Sequence, residues 1–328
     1  MLKGHRMLNL DSEEEGIFLS SCAGGMSTHS VLPVKRTRSE NTTWYEVSVK
    51  GLLGGHSGCE IDKGRANANK ILGRVLYEIR KQAVFSVYSM EGGKKDNAIP
   101  LYARACIGIA AAEYEKVSDV IAGLNSVLKA EYARSDAGIS ITLQRVEDEG
   151  EKMVLDESSL LNVITLLMTL PDGIQGMSML VAGLVETSLN LGIMKLEEDN
   201  LFLQHAIRSS VTTKKQFVAD QVECLVEKLG GTVVRKGEYP AWEYKEESVV
   251  RPRVIALYEK MYGKTPVVEG IHAGLECGLL AGKIPNLDCV AMGPDIFDIH
   301  TTSERLNIES TKRVYEFLIE YLKLKDGE

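Results

Sequence analysis

WYEVSVKGLLGGHSGCEIDKGRANANKILGRVLYEIRKQ, residues 44–82, decides the fold. WYEVSVKGL alternates and is rich in β-formers, so it predicts a strand. The run ANANKILGRVLYEIRKQ puts Ala66, Ile71, Val75, Leu76 and Ile79 on one helical face. Strands AVFSVYSM and LYARACIGIAA follow, separated by a turn that Gly92 and Gly93 begin. Helix VSDVIAGLNSVLKAEYA and strand ISITLQRVE complete the unit. The order β-α-β-β-α-β is the split arrangement of a ferredoxin-like sheet with helices on one face.

A second round of the same element types follows. SSLLNVITLLMTL reads as a helix stopped at Pro171-Asp172-Gly173. GLVETSLNLGIMKL and NLFLQHAIRSSV read as strands, KKQFVADQVECLVEKLGG as a helix and TVVRKGEYPAW as a strand running into a Pro turn. The last section changes character: RPRVIALYEKMYG, GLECGLLAG and IESTKRVYEFLIEYLKLK read as helices, TPVVEG and LDCVAMGP as strands. Strands alternating with helices predict a parallel α/β sheet. At the other end, MLNL and IFLSSCAGG look like strands of that same sheet. The expected division is therefore 1–31 and 240–328 for an α/β part, with an inserted α+β unit from about Leu32 to about Tyr239.

Composition narrows the function. A formal charge of -8 over 328 residues argues against nucleic-acid binding, which needs concentrated Lys and Arg. The basic stretch Lys35, Arg36, Arg38 ends at Glu40 and reads as a solvated linker. No apolar run is long enough to span a bilayer, so no membrane partner is expected. The opening MLKGHRMLNL lacks a signal-peptide apolar core, which points to a cytoplasmic protein. Cys22, Cys59, Cys106, Cys224, Cys277 and Cys289 are scattered, without a C-x-x-C pair, and favour reduced thiols.

Several residues are candidates for chemistry, each with a plainer reading beside it. Asp11, after Leu8-Asn9-Leu10, stands where α/β sheets place ligands, and it is equally a normal cap. Glu13, Glu14 and Glu15 read as a solvated run. His300, after Asp298-Ile299, suits zinc in its neutral form or a loop hydrogen bond to a carbonyl. His56, in Gly54-Gly55-His56-Ser57-Gly58, precedes a helix; glycines there let backbone approach a ligand. Asn97 before Pro100 orients a substrate amide or shapes a turn. Arg208 clamps a carboxylate or lies exposed at a strand end. His272 and Glu276, in EGIHAGLECG, suit a site lining. His5, His29 and His205 have no supporting context. P-loop, Rossmann, HExxH and G-x-S-x-G patterns do not occur, so those chemistries lack support.

LNLDSEEEG with SCAGG, GLLGGHSGCEIDKGRANANK, DNAIP, GLVETSLNLG, YPAW, EGIHAGLECG and GPDIFDIHTTSER together resemble the aminoacyl-histidine dipeptidase (Xaa-His dipeptidase, cytosolic carnosinase-like) family. The likeness runs in order through essentially the whole chain. It implies a three-layer di-zinc metallopeptidase domain carrying a large inserted lid of two ferredoxin-like halves. By this resemblance Asp11 and His300 each bind one of two zinc ions, for which manganese or cobalt is an alternative. His56 contacts the scissile carbonyl oxygen. Asn97 and Arg208 orient the dipeptide and bind its carboxylate, and His272 with Glu276 forms a substrate-side loop. A second copy of the chain is a further partner the family allows.

The family pattern also has an H-x-D segment, a bridging Asp and a Glu-Glu pair ahead of the matching part, and nothing in these residues replaces them. The chain is therefore expected to be an incomplete dipeptidase, inactive by itself. Two other readings stay open: a non-catalytic lid-based interaction or dimerisation protein, and another acyl-amino-acid hydrolase of the same superfamily.

Overall fold

The computed structural model describes residues 4–39, 42–147, 150–299 and 301–325. In chain order the first elements are β1 (Arg6–Asn9), β2 (Ile17–Cys22), β3 (Gly24–Pro33) and β4 (Arg36–Arg38). Next come β5 (Thr43–Lys50), β6 (Gly55–His56), α1 (Ala68–Gln82), β7 (Phe85–Gly92), β8 (Ala98–Ile99), β9 (Ala103–Ile109), α2 (Tyr114–Glu131) and β10 (Ser140–Arg145). The middle of the chain holds β11 (Met153–Leu155), α3 (Glu157–Thr169), β12 (Gly173–Met177), β13 (Val185–Leu196), β14 (Asn200–Ser209), α4 (Thr212–Lys228) and β15 (Thr232–Tyr239). The last are α5 (Val250–Tyr262), β16 (Val267–Ile271), α6 (Glu276–Ala281), β17 (Asp288–Ala291), β18 (Ile296–Phe297), β19 (Arg305–Leu306) and α7 (Ile308–Lys323).

The larger sheet runs β10-β5-β9-β7-β13-β14-β3-β15, with β12 added on β13. Its first four strands have the ferredoxin-like order expected from residues 44–147. The second four are also ferredoxin-like, and their first strand is β3. The two halves are therefore nested: residues 43–145 sit inside the second half, between its first strand and its first helix. This differs from the expected consecutive rounds and moves residues 24–31 out of the N-terminal catalytic segment. The cause is pairing: β3 lies between β14 and β15 over its whole length, so its backbone bonds are made in this sheet. Helices α1 to α4 pack their apolar residues into one core with the sheet, including Leu72, Val75, Leu76, Val117, Leu167 and Val222.

The smaller sheet has the order β1-β17-β2-β16. Its strands alternate their faces. Phe18 and Val290 meet Val254 of α5 and Phe317 of α7, while Leu19 and Cys289 meet Cys277 of α6 and Trp242. That gives three layers, helix–sheet–helix. The sheet is mixed rather than wholly parallel, because β17 pairs antiparallel with β2 at Ala291 and Leu19. The connection from β1 to β2 is too short for a parallel crossover, which needs about a dozen residues.

The basic stretch after β3 is not a solvated linker. Arg36 lies in β4, which pairs with β11, and its guanidinium donates to the carbonyls of Glu198, Tyr88, Met153 and Glu197. The cation closes carbonyls left over at the bulge in β7, at the start of β11 and just after β13. Cys22, Cys277 and Cys289 are buried free thiols, and Cys59 and Cys224 are exposed.

His205, on β14, is fully buried and its Nδ1 lies 3.3 Å from Thr28 Oγ1 on β3. Burial drives its pKa from 6.5 down to about 3. Between those values the unfolded chain binds the proton and the folded chain does not, so stability falls as pH drops through that window. The urea midpoint of His205→Gln should therefore change less between pH 6.5 and pH 4 than that of the parent. Equal slopes would show that His205 does not govern acid sensitivity.

Candidate functional site

The site lies where the two lid halves meet the smaller sheet. One two-stranded pairing sets its geometry. β6 pairs with β8, placing His56 opposite Ala98, and Ser57 N–H donates to the Asn97 carbonyl at 3.0 Å. The GGHSG and DNAIP segments, far apart in sequence, thus become one edge. The loop is held by Glu60, whose Oε2 accepts from His56 N–H at 2.8 Å and whose Oε1 pairs with Arg65 at 3.0 Å. That backbone N–H, with Arg65, keeps the Glu60 carboxyl below its ordinary range.

His56 reaches Arg208 at the end of β14, with Nε2 3.4 Å from Nη2. Its Nδ1 accepts from Gly58 N–H at 3.3 Å and Cys59 N–H at 3.1 Å. The proton of the neutral ring must therefore be on Nε2, facing a guanidinium that can only donate. Burial first, and the Arg208 charge second, lower the His56 pKa and keep the ring neutral. Two donors therefore stand side by side at 3.4 Å. An acceptor oxygen placed there would satisfy both.

Arg208 is itself positioned. Nη1 donates to Tyr239 Oη at 3.0 Å, and the Tyr239 carbonyl accepts from the buried Lys215 at 2.7 Å. Its Nε is buried without a partner. Gly25 allows the tyrosine ring to lie there, since a Cβ would come 2.5 Å from the ring. A Cβ on Gly58 would meet the His272 carbonyl at 2.8 Å and Arg208 Nε at 3.0 Å. Asn97, Arg208 and Tyr239 share a small cavity of about 90 Å³ with Asp96.

His272 is buried at the other side of Gly58. Its Nε2 lies 2.7 Å from Ser188 Oγ on β13, and its Nδ1 has no hydrogen-bond partner. Burial, then Arg208, push its pKa down to about 4. Four residues on, Glu276 opens α6 and is exposed. Its carboxylate is held low by its own backbone N–H and by hydrogen bonds from the Asp11 carboxyl and Asn9. Two side chains from opposite ends of the chain, Asp11 and Glu276, thus interact.

The sequence-derived residues His56, Asn97, Arg208 and His272 are brought into one cluster, and Asp11 is paired with Glu276. His300 lies outside the described residues. Among the described residues, no group of three or more His, Cys, Asp or Glu is arranged to hold a metal ion. Tyr239, Ser188, Glu60 and Lys215 were not singled out from sequence. Tyr239 and Ser188 lie within YPAW and GLVETSLNLG, so a signal existed, but only the fold shows what they touch.

Residues 47–136 match the peptidase dimerisation domain. The chain is 34% identical over 323 residues to the cytosol non-specific dipeptidase of Escherichia coli strain K12, a match covering 98% of this chain and 66% of that protein. The crystal structure of aminoacylhistidine dipeptidase from Vibrio alginolyticus superposes with a TM-score of 0.94 at 31% identity, over 100% of this chain and 67% of that one. This chain spans about two thirds of the length of either relative.

Because the Arg208 charge adds to burial in lowering both pKa values, Arg208→Ala should raise the titration midpoints of His56 and His272 in histidine-ring NMR. Unmoved midpoints would separate Arg208 electrically from the site.

Proposed function

The chain belongs to the aminoacylhistidine dipeptidase family, and on that premise we propose that it carries the substrate clamp and part of the metal site of a metal-dependent dipeptidase acting on Xaa-His dipeptides. The observation that carries this reading is the side-by-side placement of His56 Nε2 and Arg208 Nη2, 3.4 Å apart, with Arg208 Nε buried and unpartnered beside a small cavity. The scissile carbonyl oxygen fits against the His56 Nε2–H. A donor already in place there lowers the cost of charge developing on that oxygen. The substrate carboxylate fits against Arg208, with Asn97 on the wall of the same cavity. Arg208 is held by Tyr239 before the substrate arrives, so little side-chain freedom is lost on binding. We assign Glu276 to the substrate side on the resemblance alone.

We assign Asp11 to one metal on the resemblance, and it stands beside the Glu276 carboxylate. We assign His300 to the second metal on the resemblance alone. Zinc is the expected ion, with manganese or cobalt as substitutes. When bound, a metal pair would polarise the carbonyl and lower the pKa of a water. The donor set here is partial, since no group of three ligands is found among the described residues. We therefore infer that these 328 residues by themselves do not retain two metals or turn over substrate. The division of labour follows the sheets: a lid built on the larger one, a catalytic part on the smaller.

Two further assignments rest on the comparisons. The match to a peptidase dimerisation domain supports a homodimer. The relative named as cytosolic supports a cytoplasmic location, and no helix among the described residues is long and apolar enough to cross a membrane.

The test is binding and metal content of the purified chain. Ala-His should bind and Arg208→Lys should weaken it about tenfold or more, because the bidentate geometry is lost. Bound zinc should fall short of two per chain, with no hydrolysis. An Arg208→Lys variant that binds normally would overturn the clamp. Two tightly held metals with steady turnover would overturn the incomplete site.

A further inference from the structure

A second cavity, of about 540 Å³, opens on the other side of Gly58 and is chemically unlike the first. Its wall carries Glu13 from the β1–β2 connection, Asp62 from the turn after the His56 loop, and Glu269 from β16. All three carboxylates are exposed at its rim. No lysine or arginine lines it. At its floor lies His272, only 6% exposed, with Nδ1 unpartnered. In the tautomer that donates Nε2–H to Ser188, Nδ1 offers a lone pair to the cavity. An acidic rim alone would be solvated surface. A buried acceptor left open beneath it is the feature that calls for a donor from a ligand.

The two cavities flank the His56–Arg208 pair, and their sizes assign the ends of the substrate. The cavity of about 90 Å³ beside Arg208 and Asn97 has room for a few atoms around a carboxylate. The larger one falls in the range of ligand pockets, about 300–1,000 Å³. A dipeptide with its carboxylate on Arg208 and its carbonyl on His56 would send its N-terminal residue past Gly58 toward Glu13, Asp62 and Glu269. We propose that this cavity is the subsite for the N-terminal residue and that it selects cationic side chains of the lysine class. The proposal rests on the clamp reading above and adds the substrate preference.

The experiment compares Lys-His with norleucine-His, its uncharged near-isostere, by calorimetric titration of the whole chain. Lys-His should bind about tenfold more tightly, the sum of several exposed ion pairs. The preference should shrink as salt is raised. It should disappear in Glu13→Gln/Asp62→Asn/Glu269→Gln, and each single variant should move the ratio the same way should the triple variant not fold. Equal affinities, or a preference that survives in these variants, overturn the subsite. Arg208→Ala separates the two claims: it should weaken both peptides. Loss of both without any lysine preference in the parent sinks only the subsite. Binding indifferent to Arg208, or no binding of either peptide, sinks the clamp and the subsite with it.

Discussion

Asn67 stands at the join on which the candidate site depends. It caps α1 by accepting from Asn69 N–H and Lys70 N–H, and its Nδ2 reaches across to Asp172, Asn190 and the Leu191 carbonyl. Asn190 continues the seam, donating to the carbonyls of Asp96 and Ala98 on either side of Asn97. The strand contact between the halves is slight, two residue pairs between β7 and β13. The shared apolar core, with α1 packed on α3, joins the halves, and the buried amides add the directional bonds that fix their register. A buried polar group left open costs about 1–3 kcal/mol, so few alternative registers are tolerated. His56 and Asn97 belong to one half, Ser188, Arg208 and Tyr239 to the other. Without this seam they would not meet.

The nesting of the halves has a consequence for the site. Both units have ferredoxin-like strand order, and they join through equivalent second strands, β7 and β13. Such a join resembles two copies of one domain meeting edge to edge, but within one chain. The His56–Arg208 contact is accordingly made between the two halves of one chain. Enclosing 43–145 between β3 and α3 also ties the lid to the smaller sheet at both ends: β2 leads directly into β3, and Tyr239 ends β15 close to Trp242, which bridges back to Cys22.

At the site itself electrostatics and geometry agree. A histidine whose Nδ1 is occupied by two backbone donors has its proton placed by the protein and not by the solvent. The nearby guanidinium then discourages a second proton. The outcome is a neutral donor beside a permanent cation, an arrangement suited to an oxyanion or a carboxylate and unsuited to a metal. The carboxyl pair of Asp11 and Glu276 has the opposite character, and the acidic cavity beyond Gly58 shares it. Positive and negative ends of the site are separated by one glycine loop.

The sequence by itself determined the elements and the kind of fold. Helical periodicity in ANANKILGRVLYEIRKQ and alternation in WYEVSVKGL are local properties, and α1 and β5 formed where they predicted. The motif residues His56, Asn97, Arg208, His272 and Glu276 were also legible, because a glycine-rich or strand-end setting marks them individually. Which of them touch was decided only by the tertiary structure. Nothing in GGMSTHSVLP says that it will pair with β14 and not with the small sheet, since both choices bury its apolar alternates. Arg36 looked solvated because its acceptors are carbonyls that come from three distant segments. Tyr239 and Ser188 lay inside motifs but could not be given a role for the same reason: a hydroxyl acts through its partner, and the partner is placed by long-range pairing that no local pattern encodes.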